Sequence, residues 1–436
     1  MTSTALLTDQ YELTMLQAAL RDGTARRRCI FELFGRRLPN GRRYGVVAGT
    51  GRALDLLADF RFDAEALDHL HAHDIVDADT REWLATYRFS GDVWGYAEGE
   101  TYFPGSPILV VDGSFAEAVL LETLLLSVFN HDSAIASAAT RMRLAAEGRP
   151  CIEMGARRTH EQAAVAAARS AHIAGFAATS NLEAGRRYGI PTAGTSAHSF
   201  ILLHDVERDA FTAQVDSLGT GTTLLVDTYD VAEAVRLAIE VAGPGLGAVR
   251  IDSGDLVSLA RQVRRHLDDL GARNTKIIVT SDLDEYAIAA LTAAPVDGYG
   301  IGTALVTGSG HPTCGFVYKL VARATSVTGG APLVGVAKKS KDKLSVGGRK
   351  WALRQLNARG TATAEVIGIG AMPDGDLDDR PLLVQLVKGG ERVHDESLQT
   401  VRDRLDASLA ELPVQARQLS RGEPAIPTRY HMETAR

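Results

Sequence analysis

The sequence predicts an α/β protein: a parallel barrel or large doubly wound sheet in the middle, with β-rich segments at both ends. Three observations carry this. Seven short apolar or small-residue segments recur between Cys151 and Gly310, each closing in polar residues: CIEMGARR, AGFAATSN, IPTAGTSAHS, TTLLVDTYD, GAVRIDSGD, KIIVTSDLD and GYGIGTALVTG. Helical patterns lie between them, among them THEQAAVAAARSAH, VAEAVRLAIEVA, LVSLARQVRRHLDDL and DEYAIAALTAA. Such alternation builds parallel βα units. Before and after this core, aromatic and β-branched runs punctuated by Gly and Pro read as antiparallel structure, and the two ends can pair in one discontinuous domain.

The elements follow in order. LLTDQYELTMLQAAL reads as a capped helix in which Thr8 or Asp9 accepts from orphan N–H groups and Leu13, Leu16 and Leu20 share a face. CIFELFGRRLP is a strand ended by Gly35 and Pro39, and GDVWGYAEGETYFPGSPILVV is antiparallel β structure. FAEAVLLETLLLSVFN and SAIASAATRMRLAAEG are Ala/Leu-rich helices, the second stopped at Gly148. After Gly310 come the β-like segments CGFVYKLVA, PLVGVAKK, TATAEVIGI and PLLVQLV, with the Lys-rich run Lys338–Lys350 read as a solvated loop in preference to a phosphate contact. SLQTVRDRLDASLAELP is a helix stopped by Pro413, and the polar tail is expected to wrap the surface or to be mobile. The expected organisation is 1–110 as the N-terminal part of a sheet-based domain, 111–320 as the catalytic barrel, and 321–436 as the C-terminal part with its helical tail.

Composition narrows the function. The chain has 436 residues, 45% hydrophobic, enough for a large core. Its 54 acidic against 47 basic residues argue against wholesale binding of nucleic acid or anionic membrane. Cys29, Cys151 and Cys314 lie far apart without a Cys-x-x-Cys pair, so neither a zinc knuckle nor a disulfide framework is expected. Cys151 and Cys314 sit in apolar surroundings that suit buried thiols. The N-terminus lacks the pattern of a signal peptide, and no apolar run reaches the length of a membrane span. A cytoplasmic enzyme is expected.

The chemistry gathers at the segment ends, where a barrel brings side chains to one mouth. Gly300, Gly302, Thr303 and Gly308 form a turn whose N–H groups and hydroxyl can approach a phosphate. Arg250 and Asp252 alternate onto one side of a strand, a cation beside an anion. Asp282 is free to act, whereas Asp284 suits the N-cap of the next helix. Arg157 and Arg158 offer guanidinium forks for a carboxylate or phosphate. Of the arginines between Arg26 and Arg43, the pair Arg36–Arg37 follows a strand and suits a phosphate. His198 is the one histidine at a segment end. A neutral imidazole is a nucleophile near pH 7 and needs a carboxylate to fix its tautomer. Asp227 or Asp230 is placed to supply it.

Taken together, TDQYELTM, FELFGRRLP, EMGARR, TSN, GTSAHSF, DSGD, SDLDE and GIGT, in this order over residues 6 to 350, resemble the nicotinate phosphoribosyltransferase family. The combination is specific although each motif alone is weak. The resemblance implies a type II phosphoribosyltransferase fold, an irregular α/β barrel joined to a discontinuous sheet-based α+β domain from both chain ends, assembled as a homodimer with sites shared across the interface. It implies formation of nicotinate mononucleotide and diphosphate from nicotinate and phosphoribosyl diphosphate, with ATP as co-substrate and Mg2+ beside the phosphates. By resemblance His198 is phosphorylated and Asp227 hydrogen-bonds its ring. Arg157 and Ser199 hold the nicotinate carboxylate, and Tyr11 reaches from the partner to stack on the pyridine. Arg250 and Asp252 contact the ribose and phosphate, Asp282, Gly302 and Thr303 cradle the 5′-phosphate, and Arg36 meets the diphosphate. Met154 stands where relatives often have Phe against the pyridine. A nicotinamide- or quinolinate-specific relative and a non-catalytic nucleotide-binding barrel are the rival readings. Arg157, Arg158 and Ser199 favour the acid over the amide, and the histidine favours an enzyme over a binder.

Overall fold

The computed structural model describes residues 3–338 and 346–432. The chain divides into two compact units, 1–134 with 313–436, and 135–312. The first division falls within the helix Glu122–Ala145, which joins what read as two helices in the sequence. The expected bounds lie elsewhere, and the reason is local. A cut after 110 would split the strand Leu109–Ser114, and one after 320 would split Phe316–Ala324. Both strands flank Arg28–Gly35 in one antiparallel sheet.

That sheet has seven strands in the order Leu333–Gly335, Phe316–Ala324, Arg28–Gly35, Leu109–Ser114, Asp92–Tyr96, Leu383–Lys388 and Glu391–Arg392. It is therefore built from both chain ends. Arg28–Gly35 is buried along nearly its whole length, as its run of Cys, Ile, Phe and Leu requires. Phe31 stacks on Tyr318 with ring centroids 4.9 Å apart. Glu32 is drawn into this core, where Lys350 meets it at 2.5 Å. Lys350 thus leaves the solvated basic loop expected of it, because a buried carboxylate demands a counter-ion. Lys339, Lys341 and Lys343 lie outside the described residues. A second sheet orders Arg380–Pro381, Lys350–Leu356, Ala362–Ile369 and Thr428–Met432. Its last pair is parallel, so the tail expected to wrap the surface becomes a strand through residue 432. The helix Gln10–Asp22 buries Leu13 and Leu16, but the Asp9 side chain does not cap it; Thr8 instead donates to the Glu12 carboxylate.

The second unit is a six-stranded parallel sheet. Its order is Ala178–Thr179, Cys151–Glu153, Gly298–Ile301, Lys276–Val279, Ala248–Ile251 and Thr223–Leu225. Six of the seven expected segments become strands. The seventh adds only one parallel bridge, Thr192 to Thr179, so the described strands form an open half-barrel. Pro191 and the small residues that follow explain this, since they cannot sustain a ladder. Helices return the chain between strands at Glu161–Ile173, Val231–Ala242, Leu256–Asp269 and Glu285–Leu291, as the sequence predicts. Helices Leu182–Tyr188, His198–Leu202 and Glu207–Leu218 are additions. The strand interiors Leu224, Val249, Ile251, Ile277, Val279 and Ile301 are fully buried under them. Among the described residues no helix is long and apolar enough to cross a membrane. All three cysteines are free and buried.

Candidate active site

One cavity of about 550 Å3 opens at the C-terminal ends of the parallel strands. Every strand-to-helix turn that reaches it ends in small or polar residues. After Cys151–Glu153 the chain contributes Met154, Arg157 and Arg158. Glu153 beneath them is buried, and burial raises its carboxyl above the usual range despite hydrogen bonds from Thr179 and the Gly155 N–H. It ties the turn to the next strand, whose end supplies Ser180. In the TSN motif, Asn181 caps the following helix by accepting from Ala184 N–H at 3.0 Å.

The loop Ala193–Ala197 forms another wall. His198 does not end a strand, as expected, but opens the five-residue helix His198–Leu202. Its side chain is 40% exposed. Nδ1 lies 3.0 Å from Thr228 Oγ1. Nε2 faces two carboxylates, Asp252 Oδ2 at 3.7 Å and Asp227 Oδ1 at 3.9 Å. Asp227 is thus beside the ring but beyond hydrogen-bonding distance. Its Oδ2 instead accepts from Asp252 N–H at 2.9 Å and from Ser253 Oγ at 2.7 Å. Asp230 is occupied as an N-cap, accepting from Glu233 N–H at 2.9 Å.

Arg250 and Asp252 both line the cavity, as strand alternation predicts. The Thr280 hydroxyl donates to Asp252 Oδ1, and Arg250 donates to the Thr195 hydroxyl. Burial lowers the Arg250 pKa, with Arg157 adding to it and Asp252 and Asp227 opposing. Its Nε is buried without a hydrogen-bond partner within the described protein. A guanidinium held this way is prepared for an anion. Asp282 lines the mouth next to Ser281, whose φ of 136° is strained for a residue with a side chain. Asp284 caps Glu285–Leu291, accepting from Tyr286 N–H at 3.0 Å and Ala287 N–H at 2.8 Å.

The floor is glycine by necessity. A Cβ at Gly300 would stand 2.5 Å from Thr280 Cγ2 and 2.6 Å from Met154 Sδ, so the thioether lies against bare backbone. Gly302 and Thr303 complete the lining, with Gly302 as N-cap of the turn Thr303–Val306. The cavity therefore gathers Met154, Arg157, His198, Arg250, Asp252, Asp282, Gly302 and Thr303, with Asp227 behind the histidine. It does not gather Ser199, which is exposed on the short helix outside the lining. Tyr11 and Arg36 belong to the other unit. Tyr11 is 45% exposed, and partial burial together with Glu122 and Glu12 pushes its hydroxyl well above the usual range. Arg36 is exposed, its guanidinium 5.7 Å from the centre of the Phe34 ring. Sequence reasoning missed Ser180, Thr195, Ser196, Thr228, Thr280 and Ser281. Small hydroxyl residues carry no pattern that separates them from ordinary loop formers, although their density at successive segment ends was a signal.

Residues 6–130 match the model of the nicotinate phosphoribosyltransferase N-terminal domain, and residues 150–350 match the nicotinate phosphoribosyltransferase family model. The chain is 58% identical over 433 residues to nicotinate phosphoribosyltransferase pncB1 of Mycobacterium tuberculosis (strain H37Rv), covering 97% of this chain and 94% of that protein. The chain belongs to the nicotinate phosphoribosyltransferase family. Another family member, nicotinate phosphoribosyltransferase of Bacillus subtilis, is 37% identical over 366 residues, covering 81% of this chain and 74% of that one. The crystal structure of human nicotinic acid phosphoribosyltransferase superimposes with a TM-score of 0.82 at 26% identity, covering 98% of this chain and 97% of the human one. Within the nicotinate phosphoribosyltransferase family, the matched region 150–350 contains every cavity-lining residue named above.

Proposed function

We propose that the chain forms nicotinate mononucleotide and diphosphate from nicotinate and phosphoribosyl diphosphate, coupled to ATP hydrolysis through a phosphohistidine at His198, in NAD biosynthesis and salvage. The observation that carries this is the cavity itself, where three guanidinium groups, two carboxylates, a glycine floor and one imidazole converge within a family of this activity. Arg157 holds the nicotinate carboxylate, with Ser180 and Ser196 closer to hand than Ser199. Met154 packs its thioether on the pyridine face. Arg250 and Asp252 grip the phosphoribosyl group, and Asp282, Gly302 and Thr303 receive its 5′-phosphate. The pyridine nitrogen then attacks the anomeric carbon as diphosphate departs. These residues contribute by alignment and by neutralising charge that builds on the leaving group. A homodimer supplies Tyr11 from the partner to stack on the pyridine, and Arg36 meets the diphosphate. The cytoplasm is its compartment.

Among the described residues no cluster of three or more metal-ligating side chains exists. The donor set fits Mg2+ carried by substrate phosphates, which takes one or two protein carboxylates. Asp252 and Asp282 are the candidates in the lining. When bound, Mg2+ would neutralise diphosphate charge.

The test is nicotinate mononucleotide formation with and without ATP. Product from nicotinate but not from nicotinamide or quinolinate is expected. His198→Ala is expected to abolish ATP stimulation and acid-labile labelling by γ-phosphate. Full ATP coupling in that variant would overturn the role of the histidine.

A further inference from the structure

We infer that Glu153 and Thr179 are a positioning pair for nicotinate binding, clamping the turn that presents Arg157 to the neighbouring strand end. The inference rests on the reading of Arg157 as the group that holds the nicotinate carboxylate. Glu153 is the last residue of its strand and Thr179 the last of the strand beside it, and the two are partners in register. Both are fully buried. A carboxyl taken out of water at that depth needs hydrogen bonds on its oxygens. Glu153 finds one for each. Oε1 accepts from Gly155 N–H, inside the turn, and Oε2 lies 2.5 Å from Thr179 Oγ1. The second contact holds in either protonation state. An ionised carboxylate accepts from the hydroxyl, and a neutral carboxyl donates to it.

The turn hangs on these bonds. Met154 N–H donates to Ile301 O at 2.8 Å, and Arg158 N–H donates to Gly155 O at 2.8 Å, so Gly155 is the point between the two anchors. A Cβ at Gly155 would stand 2.3 Å from Val306 Cγ1 and 3.0 Å from Gly302 O. Glu153 Oε1 therefore holds the turn at its most crowded point, and Arg157 follows two residues on. On the other side, Ser180 N–H donates to Glu153 O at 2.8 Å, and Asn181 N–H donates to Thr179 Oγ1 at 3.0 Å. One buried carboxyl thus sets the spacing of Arg157 and Ser180, which line the same cavity. This gives the TSN motif three separate tasks. Thr179 holds the clamp, Ser180 lines the cavity, and Asn181 caps the next helix.

The experiment uses the full-length protein, with nicotinate varied at saturating phosphoribosyl diphosphate and ATP. Thr179→Val keeps the shape of the side chain and removes the hydroxyl. It should raise KM for nicotinate about tenfold, the worth of one buried hydrogen bond, with kcat within about twofold. Thr179→Ser should restore KM. In an Arg157→Ala background the same change at Thr179 should add less than about twofold, because both act through one contact. Asn181→Ala removes the helix cap and spares the clamp, so it should lower Tm and leave KM for nicotinate unchanged. An unchanged KM in Thr179→Val overturns the inference, as does the full increase persisting without Arg157. So does an equal rise in Asn181→Ala, which would trace the effect to lost stability. If Arg157→Ala by itself leaves KM unchanged, the reading of Arg157 fails instead. A crystal structure of Thr179→Val then decides the inference: a displaced Met154–Arg158 turn upholds it, and an unmoved one overturns it.

Discussion

Arg157 reaches the cavity from a tight turn in which Arg158 N–H donates to Gly155 O at 2.8 Å. On the proposed reading it holds the nicotinate carboxylate, so its removal should fall on nicotinate binding. Arg157→Ala is expected to raise KM for nicotinate, with a smaller effect on kcat, by the loss of a charge-assisted bond of about 1.5–3 kcal/mol. Steady-state kinetics with nicotinate varied at saturating phosphoribosyl diphosphate measures it. Arg250 and Asp252 were legible because strand alternation is local geometry. Ser199 lies outside the cavity lining for an equally local reason. Neighbours on a helix diverge by about 100°, so adjacency to His198 carries Ser199 away from the cavity. Glu12 was hidden altogether. Burial raises its carboxyl to about 6 against hydrogen bonds from Thr123 and Thr8. A raised folded-state pKa means that this contribution is full below about 4.5 and is lost as pH rises to about 6. Glu12→Gln should remove that part of the pH dependence of Tm, as thermal scans from pH 4 to 7 will read.

Helices of the half-barrel begin on side-chain caps that also shape the site. Asp230, Asp255 and Asp284 each accept from an N–H of the helix that follows. Their neighbours Asp227, Asp252 and Asp282 are thereby left for the cavity side of the same turns. Asp284→Ala should cost about 1 kcal/mol, seen as a lower urea midpoint, and should leave the substrate contacts proposed for Asp282 in place. The division of labour between Asp282 and Asp284 was readable from the sequence, since a cap must sit directly before the helical pattern. The segment containing His198 was not readable as helix. Its five residues are too few to show a period.

Across the whole first unit, buried charge ties distant segments together. Arg354 is fully buried, 3.0 Å from Glu365 Oε2 and 2.9 Å from Thr101 O, the latter 253 residues away in sequence. Tyr96 donates to the same Glu365 at 2.7 Å. Arg354→Ala would strand Glu365 without its counter-ion, a loss of about 3–5 kcal/mol. Chemical denaturation should show it, and pairing Arg354→Met with Glu365→Gln should recover much of the loss. The mixed β–βα–β rhythm announced that both ends are sheet-forming. It could not announce which strands pair, or that Lys350 would be drawn in to Glu32.

The sequence by itself determined the family, the parallel βα middle and the chemical types in the cavity. Motif order, strand periodicity and polar segment ends are properties of contiguous residues. Only the tertiary structure decided that the parallel strands stay open at Thr192, that the sheet of the first unit claims Leu109–Ser114 and Phe316–Ala324, and that Thr228, not Asp227, hydrogen-bonds His198. These facts depend on sub-ångström placement of residues tens to hundreds of positions apart. No local pattern encodes such distances; packing and the need to pair buried polar groups set them.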